Sequence, residues 1–196
     1  MGLLRIFLRV IFLGVLGVVF LTTQGEVAET ADIEVNVTLQ TISVSVTSNG
    51  TWNMGMVGVG STTTMTNNQK ITILNDGNGS QTYTLQVTNT GGPWTASSTE
   101  SNGQDKFVLS GVFSATADTG VVGANFNTGT NDDVIKSTDP KTATTENYAA
   151  ETNATANGVS VSAGEARALW LQFKAPSSST VNTQQTIAVT IGVIGG

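Results

Sequence analysis

Apolar residues recur at every second position along most of this chain. Ile33, Val35, Val37 and Leu39 alternate with polar neighbours, and after a slip of one position Ile42, Val44 and Val46 continue the pattern. A period of two belongs to a strand with one face buried. Downstream of residue 25 no stretch shows the helical period, so the chain is restricted to all-β architectures. The slip near Thr41 reads as a bulge, or as a break between two strands.

The alternation locates the remaining strands. Trp52, Met54 and Met56 alternate among glycines, and Gly60-Ser61 opens a polar loop. Ile71 and Ile73 share one face of a strand that runs into Asp76-Gly77-Asn78-Gly79, residues that tolerate turn geometry. Tyr83, Leu85 and Val87 follow, so strand, turn and strand predict a β-hairpin. Phe107, Leu109 and Gly111 share a face, with Val108 and Val112 in mixed phase. Residues 116–157 are rich in Thr, Asn, Gly and Ala and predict one or two short strands plus an exposed excursion. Val159 and Val161, then Leu169, Leu171 and Phe173, then Ile187, Val189, Ile191 and Val193 complete the series. The expectation is an antiparallel β-sandwich or jelly roll of about eight or nine strands.

The N-terminus has a different character. Arg5 and Arg9 precede an unbroken apolar run, residues 10–21, and small and polar residues follow at 22–25. Basic, apolar and small-polar segments in that order form the layout of a secretory signal peptide, here residues 1–25. Thr23 and Gly25 are small at the minus-three and minus-one positions of a cut after Gly25, whereas a cut after Ala31 places Glu29 at minus-three. The run falls short of the ~20 apolar residues that span a bilayer, so contact with a membrane is expected only through this transient segment. Residues 26–40 form an N-terminal strand, and residues 41–196 the sandwich domain.

Composition excludes several chemistries. The 196 residues include no histidine and no cysteine. Ser-His-Asp triads, Cys-His pairs, histidine-ligated zinc and disulfides are therefore ruled out. Fourteen acidic residues against eight basic ones repel phosphate backbones, so nucleic acid is not an expected partner. No cofactor motif is present, and no pair of carboxylates is marked for acid–base work by its local sequence.

Four Asn-X-Ser/Thr sequons, at Asn36, Asn49, Asn78 and Asn153, are candidate glycosylation sites. Asp118, Asp132, Asp133 and Asp139, with Asn125, Asn127 and Asn131, offer hard oxygen ligands for calcium, but their spacing is irregular and fits a solvated acidic loop better. Trp52, Trp94 and Trp170 would stack on sugars if aligned on one face; at least two of them are expected in the core.

The run from Ile42 to Leu85 contains an alternating strand, then Asn49-Gly50-Thr51-Trp52-Asn53-Met54-Gly55, Val59-Gly60-Ser61, Ile71-Thr72-Ile73-Leu74-Asn75-Asp76-Gly77 and a further strand. It resembles the first half of secreted β-sandwich proteins, above all the TasA and camelysin-like biofilm fibre subunits and the archaeal bundling pilins. The resemblance covers about a quarter of the chain. It implies a jelly roll whose N-terminal strand is donated to the next subunit. Camelysin-like proteins have been described as proteases; without histidine, no catalytic residue carries over.

The expected role is that of an extracellular structural protein, a filament or pilus subunit joined head to tail to copies of itself. Ile33, Val35, Val37 and Leu39 would be the inserting side chains of the donor strand. The plain alternative for this strand is pairing within its own domain. A different class of role is a secreted carbohydrate-binding or adhesion module that holds surface glycans through exposed aromatics. A third arrangement keeps residues 10–21 as a helical filament core.

Overall fold

The computed structural model describes residues 37–90, 92–121, 125–126, 133–149 and 156–195. The signal segment, Ile33, Val35, Asn36 and Asn153 lie outside the described residues. The chain divides into residues 1–38 and a compact unit of residues 39–196.

Among the described residues nine strands form two sheets. They are β1 (Val44–Ser48), β2 (Thr62–Thr64), β3 (Ile71–Asn75), β4 (Gln81–Asn89), β5 (Thr95–Ala96), β6 (Lys106–Ala115), β7 (Lys141–Thr142), β8 (Ala166–Lys174) and β9 (Ala188–Gly195). The larger sheet has the order β1-β3-β8-β6-β5, with β2 also on β8; the smaller has the order β7-β4-β9. One departure from the expected antiparallel pattern is β5, which pairs parallel to β6 and makes the larger sheet mixed. A single turn of 3-10 helix, Asn67–Gln69, leads into β3.

The two sheets share one core. From the larger sheet, Ile71, Ile73, Phe107, Leu109, Phe113, Leu169 and Phe173 are buried; from the smaller, Tyr83, Leu85 and Val87 meet them. The Tyr83 and Phe113 rings lie 5.3 Å apart, and Tyr148 meets Phe113 edge-on at 6.5 Å. Such tilted and edge-on rings are favourable beyond the area they bury. Strands β6 and β8 are buried on both faces, which explains the mixed phase of Val108 and Val112. On the second face Trp170 is paired with Val112 and donates from Nε1 to Ser114 Oγ at 3.0 Å. The Lys70 ammonium lies over the Trp170 ring.

The expected hairpin does not form. Strand β3 pairs with β1 and β8, while β4 pairs with β7 and β9 in the other sheet. Residues 76–80 are thus an arch between sheets, and Ile73 and Tyr83 face the same core from opposite layers. Asn75 shapes the arch. Its buried Nδ2 donates to the carbonyls of Gly79 (2.9 Å) and Val161 (2.8 Å), and its Oδ1 accepts from the Gly77 amide at 3.0 Å. A Cβ on Gly77 would run into the Thr41 carbonyl and the Gln81 amide, so the close approach of two chain segments requires glycine here.

Where described, residues 116–157 hold one short strand, β7, and exposed stretches at 137–140 and 144–146, as expected, but part of the segment also enters the core. Val134, Ile135 and Tyr148 have no exposed surface. Residue 134 bridges Ser110, and the Tyr148 carbonyl accepts from the Phe113 amide at 2.8 Å. The Trp52–Met56 alternation forms no strand: Trp52 and Met54 pack partly against the core, and Met56 stands fully in water.

Candidate functional site

Two features of the fold bear on association, and both arise from strands that lack a neighbour. The first is where the chain enters the domain. Asn78, on the arch, donates from Nδ2 to the Leu39 carbonyl at 2.7 Å and accepts the Thr41 amide on Oδ1 at 2.6 Å. Its own amide donates to the Thr41 carbonyl at 3.2 Å. Three residues further, the fully buried Gln81 lays its side-chain amide along Ser43. With oxygen and nitrogen oriented by the hydrogen-bond network, it donates to the Ser43 carbonyl (2.9 Å) and accepts the Ser43 amide (3.0 Å). Residues 39–43 are thereby fastened to the arch by side chains that stand in for a strand.

Just at this entry, apolar side chains stand in water. Leu39 is 83% exposed, and Val37 is 79% exposed. Residues 37–40 carry no strand. Ile33 and Val35, expected from the sequence as donor-strand residues, precede the described residues, so Val37 and Leu39 are the part of that row the structure locates.

The second feature is the outer edge of β9. This strand pairs with β4 alone. The amides and carbonyls of the odd residues of β4 point the other way: Tyr83 donates to Gly158, Ala143 donates to Tyr83, and Val87 donates to Lys136. The even residues of β4 therefore bond to β9, through Thr190, Gly192 and Ile194. The main-chain groups of Val189, Ile191 and Val193 then point away from β4. Among the described residues no strand pairs with β9 on that side, although β1 comes near it. The side chains of the same three residues join the row of Val87, Leu85 and Tyr83 at the core, yet they remain only partly buried.

Edge β9 carries none of the usual protections. Ala188–Gly195 has no charged residue, no proline and no bulge beyond the irregularity at its first pair. Strand β1, at the edge of the larger sheet, is shorter and bulged between Val46 and Ser48, and next to it the Asp76 carboxylate is held below the usual carboxylate range, chiefly by the Ser43 hydroxyl. Among the described residues no ladder joins β1 to β9. The uncharged composition of the last strand was a readable signal of this edge. Its lack of a neighbour was not, because sheet order is not local.

The other candidates are dispersed. Asp133 is buried, and its Oδ1 accepts the Tyr148 amide at 2.7 Å, whereas Asp139 is exposed. Among the described residues no three acidic side chains gather as a metal site would require. Trp170 is buried; Trp94 stacks on Phe173 at 6.2 Å and donates to Ser179, and Trp52 packs against the core, so the three indoles present no common open face. Asn49, in the left-handed region at φ 52°, donates from Nδ2 to the carbonyls of Asn68 and Lys70. A glycan at Asn49 would displace one of these two bonds. At Asn78 one Nδ2 hydrogen is held by Leu39.

No protein-family model, curated protein or solved structure matches this chain.

Proposed function

We propose that this chain is an extracellular structural protein, a subunit of a filament or pilus in which each copy donates its N-terminal strand to the next. The observation that carries the reading is the entry to the domain. Asn78 holds the Leu39 carbonyl, and Val37 and Leu39, members of an alternating apolar row, have their side chains in water. Exposed rows of large apolar residues mark surfaces meant to be covered. A strand inserted into a neighbour's sheet satisfies its backbone through the ladder and its apolar face through the neighbour's core. Donation from copy to copy is a heterologous contact that does not close, so it grows a fibre.

In this reading residues 1–25 direct secretion and are removed, and the two-sheet domain is a jelly-roll variant of the kind found in TasA-like fibre subunits and bundling pilins. The role is mechanical and uses no cofactor. A sugar-binding module draws less support, because Trp94 and Trp52 are committed to packing.

Electron microscopy of the secreted, purified protein at rising concentration tests the proposal. Regular fibres are expected, and they are expected to vanish in Val35→Asp and Val37→Asp with thermal unfolding of the domain unchanged. Fibres that persist in both variants reject strand donation, and monodisperse particles at every concentration reject the filament.

A further inference from the structure

We infer that β9 is the acceptor edge, and that residues 33–39 of a second copy of this chain add to it as a new strand. This rests on the filament reading above and deepens it by naming the surface that receives the donor. A receiving edge needs a free row of main-chain donors and acceptors, an apolar floor that lacks cover, and no electrostatic block. Strand β9 has all three: outward-facing groups on Val189, Ile191 and Val193, partly buried side chains on the same residues, and no charge. Strand β1, an edge of the larger sheet, has a bulge and an adjacent carboxylate.

The occupant follows from pattern and position. Ile33, Val35, Val37 and Leu39 repeat at the two-residue spacing of the β9 row, and their one charge, Glu34, falls on the opposite face. Added to β9, the segment places its apolar face over the same core and leaves Glu34, Asn36 and Thr38 in solvent. The donor comes from another copy for a geometric reason. Gln40 lies beside Gly195, 3.3 Å from where a Cβ on that glycine would stand. The chain thus enters at the C-terminal end of β9, and a segment folding straight back onto its own β9 would run parallel to it. A second copy is free to supply the antiparallel orientation, the more stable pairing per residue.

The chain has no cysteine, so introduced thiols report unambiguously. The test uses solvent-face positions that do not disturb the core. Full-length protein carrying Asn36→Cys is mixed with protein carrying Thr190→Cys or Ile194→Cys and oxidised during assembly. A covalent dimer is expected in at least one mixture, in about tenfold or greater excess over a mixture of Asn36→Cys with Val46→Cys on β1. Preferential cross-linking to Val46→Cys overturns β9 as acceptor but leaves strand donation standing. Dimers of Thr190→Cys with itself in excess mean that β9 pairs with β9 and overturn the inference. Intramolecular closure of a monomer carrying both Asn36→Cys and Thr190→Cys overturns donation between copies altogether. Fibres without any of these cross-links reject the β9 edge alone, and an absence of fibres rejects the parent reading.

Discussion

Asn78 holds Leu39. The side-chain amide donates to the Leu39 carbonyl at 2.7 Å while its oxygen accepts the Thr41 amide at 2.6 Å, across 37 to 39 positions of sequence. One turn residue therefore sets where the domain begins. Substitution Asn78→Ala removes both bonds. Each such bond contributes about 1 kcal/mol net, so a loss of about 1–2 kcal/mol is expected in chemical denaturation. An unchanged midpoint would show that the entry is held by the Gln81–Ser43 contact alone.

Gly158 passes close to the core ring of Phe113. A Cβ there would stand 2.7 Å from Phe113 Cδ2 and 3.0 Å from Ala143 Cβ. Overpacking of this kind costs about 1–3 kcal/mol, so Gly158→Ala is expected to lower the unfolding midpoint clearly. Gly120 has nothing within 4 Å of its Cβ position, and Gly120→Ala is expected to be neutral or slightly stabilising. Thermal melts of the two variants side by side check both.

The Tyr83 hydroxyl is buried without a hydrogen-bond partner, and burial pushes its pKa up to about 12. Removing an unsatisfied polar atom from the interior relieves its desolvation. Tyr83→Phe is therefore expected to leave stability unchanged or to raise it. A drop of more than about 1 kcal/mol would mean that the hydroxyl has a partner in solution.

Asp105 ties the loop before β9 to the start of β6. Its carboxylate accepts from the Thr180 hydroxyl (2.6 Å), the Thr180 amide (2.8 Å) and the Ser179 hydroxyl (2.9 Å). The Thr180 hydroxyl bond, first among these, lowers its pKa below the ordinary 3.8. A depressed carboxylate stabilises the fold fully above its unfolded pKa and loses that contribution as pH falls through the folded one. Between neutral pH and pH about 5 its contribution is expected to be constant, and it fades below about 4. Asp105→Asn, which keeps the left-handed backbone conformation at φ 51° accessible, is expected to flatten the acid limb of a midpoint-against-pH curve. An acid limb identical to that of the unchanged protein would show that other carboxylates control it.

Much of the architecture is legible in local pattern. The rows Ile71–Ile73, Tyr83–Val87, Leu169–Phe173 and Val189–Val193 are strands, and each turns its apolar side to the core. Ala163 and Gly164 form a turn between two of these rows, with Gly164 at φ 75°. Three errors have a common origin. Thr62–Thr64 is a strand with no apolar signature, because β8 recruits it through backbone bonds. Residues 133–149 are polar in sequence, yet they bury Val134, Ile135 and Tyr148 against β6. The segment 76–80 carries hairpin residues but joins two sheets, because β3 and β4 each find partners on both edges elsewhere.

The candidate site divides the same way. The alternating row that ends at Leu39 and the uncharged row of β9 can both be read from residue order. That Leu39 is held at Asn78, and that β9 pairs on one side alone among the described residues, depend on neighbours far away in sequence.

The sequence by itself determined the longer strands, their inward faces and the all-β class, because side-chain alternation is a property of consecutive residues and water sorts the two faces of each strand. The tertiary structure alone decided which strands pair, which turn becomes an arch and which edge stays open. Backbone hydrogen bonds are the same at every position, so partner choice is settled by how all the apolar faces close over one core.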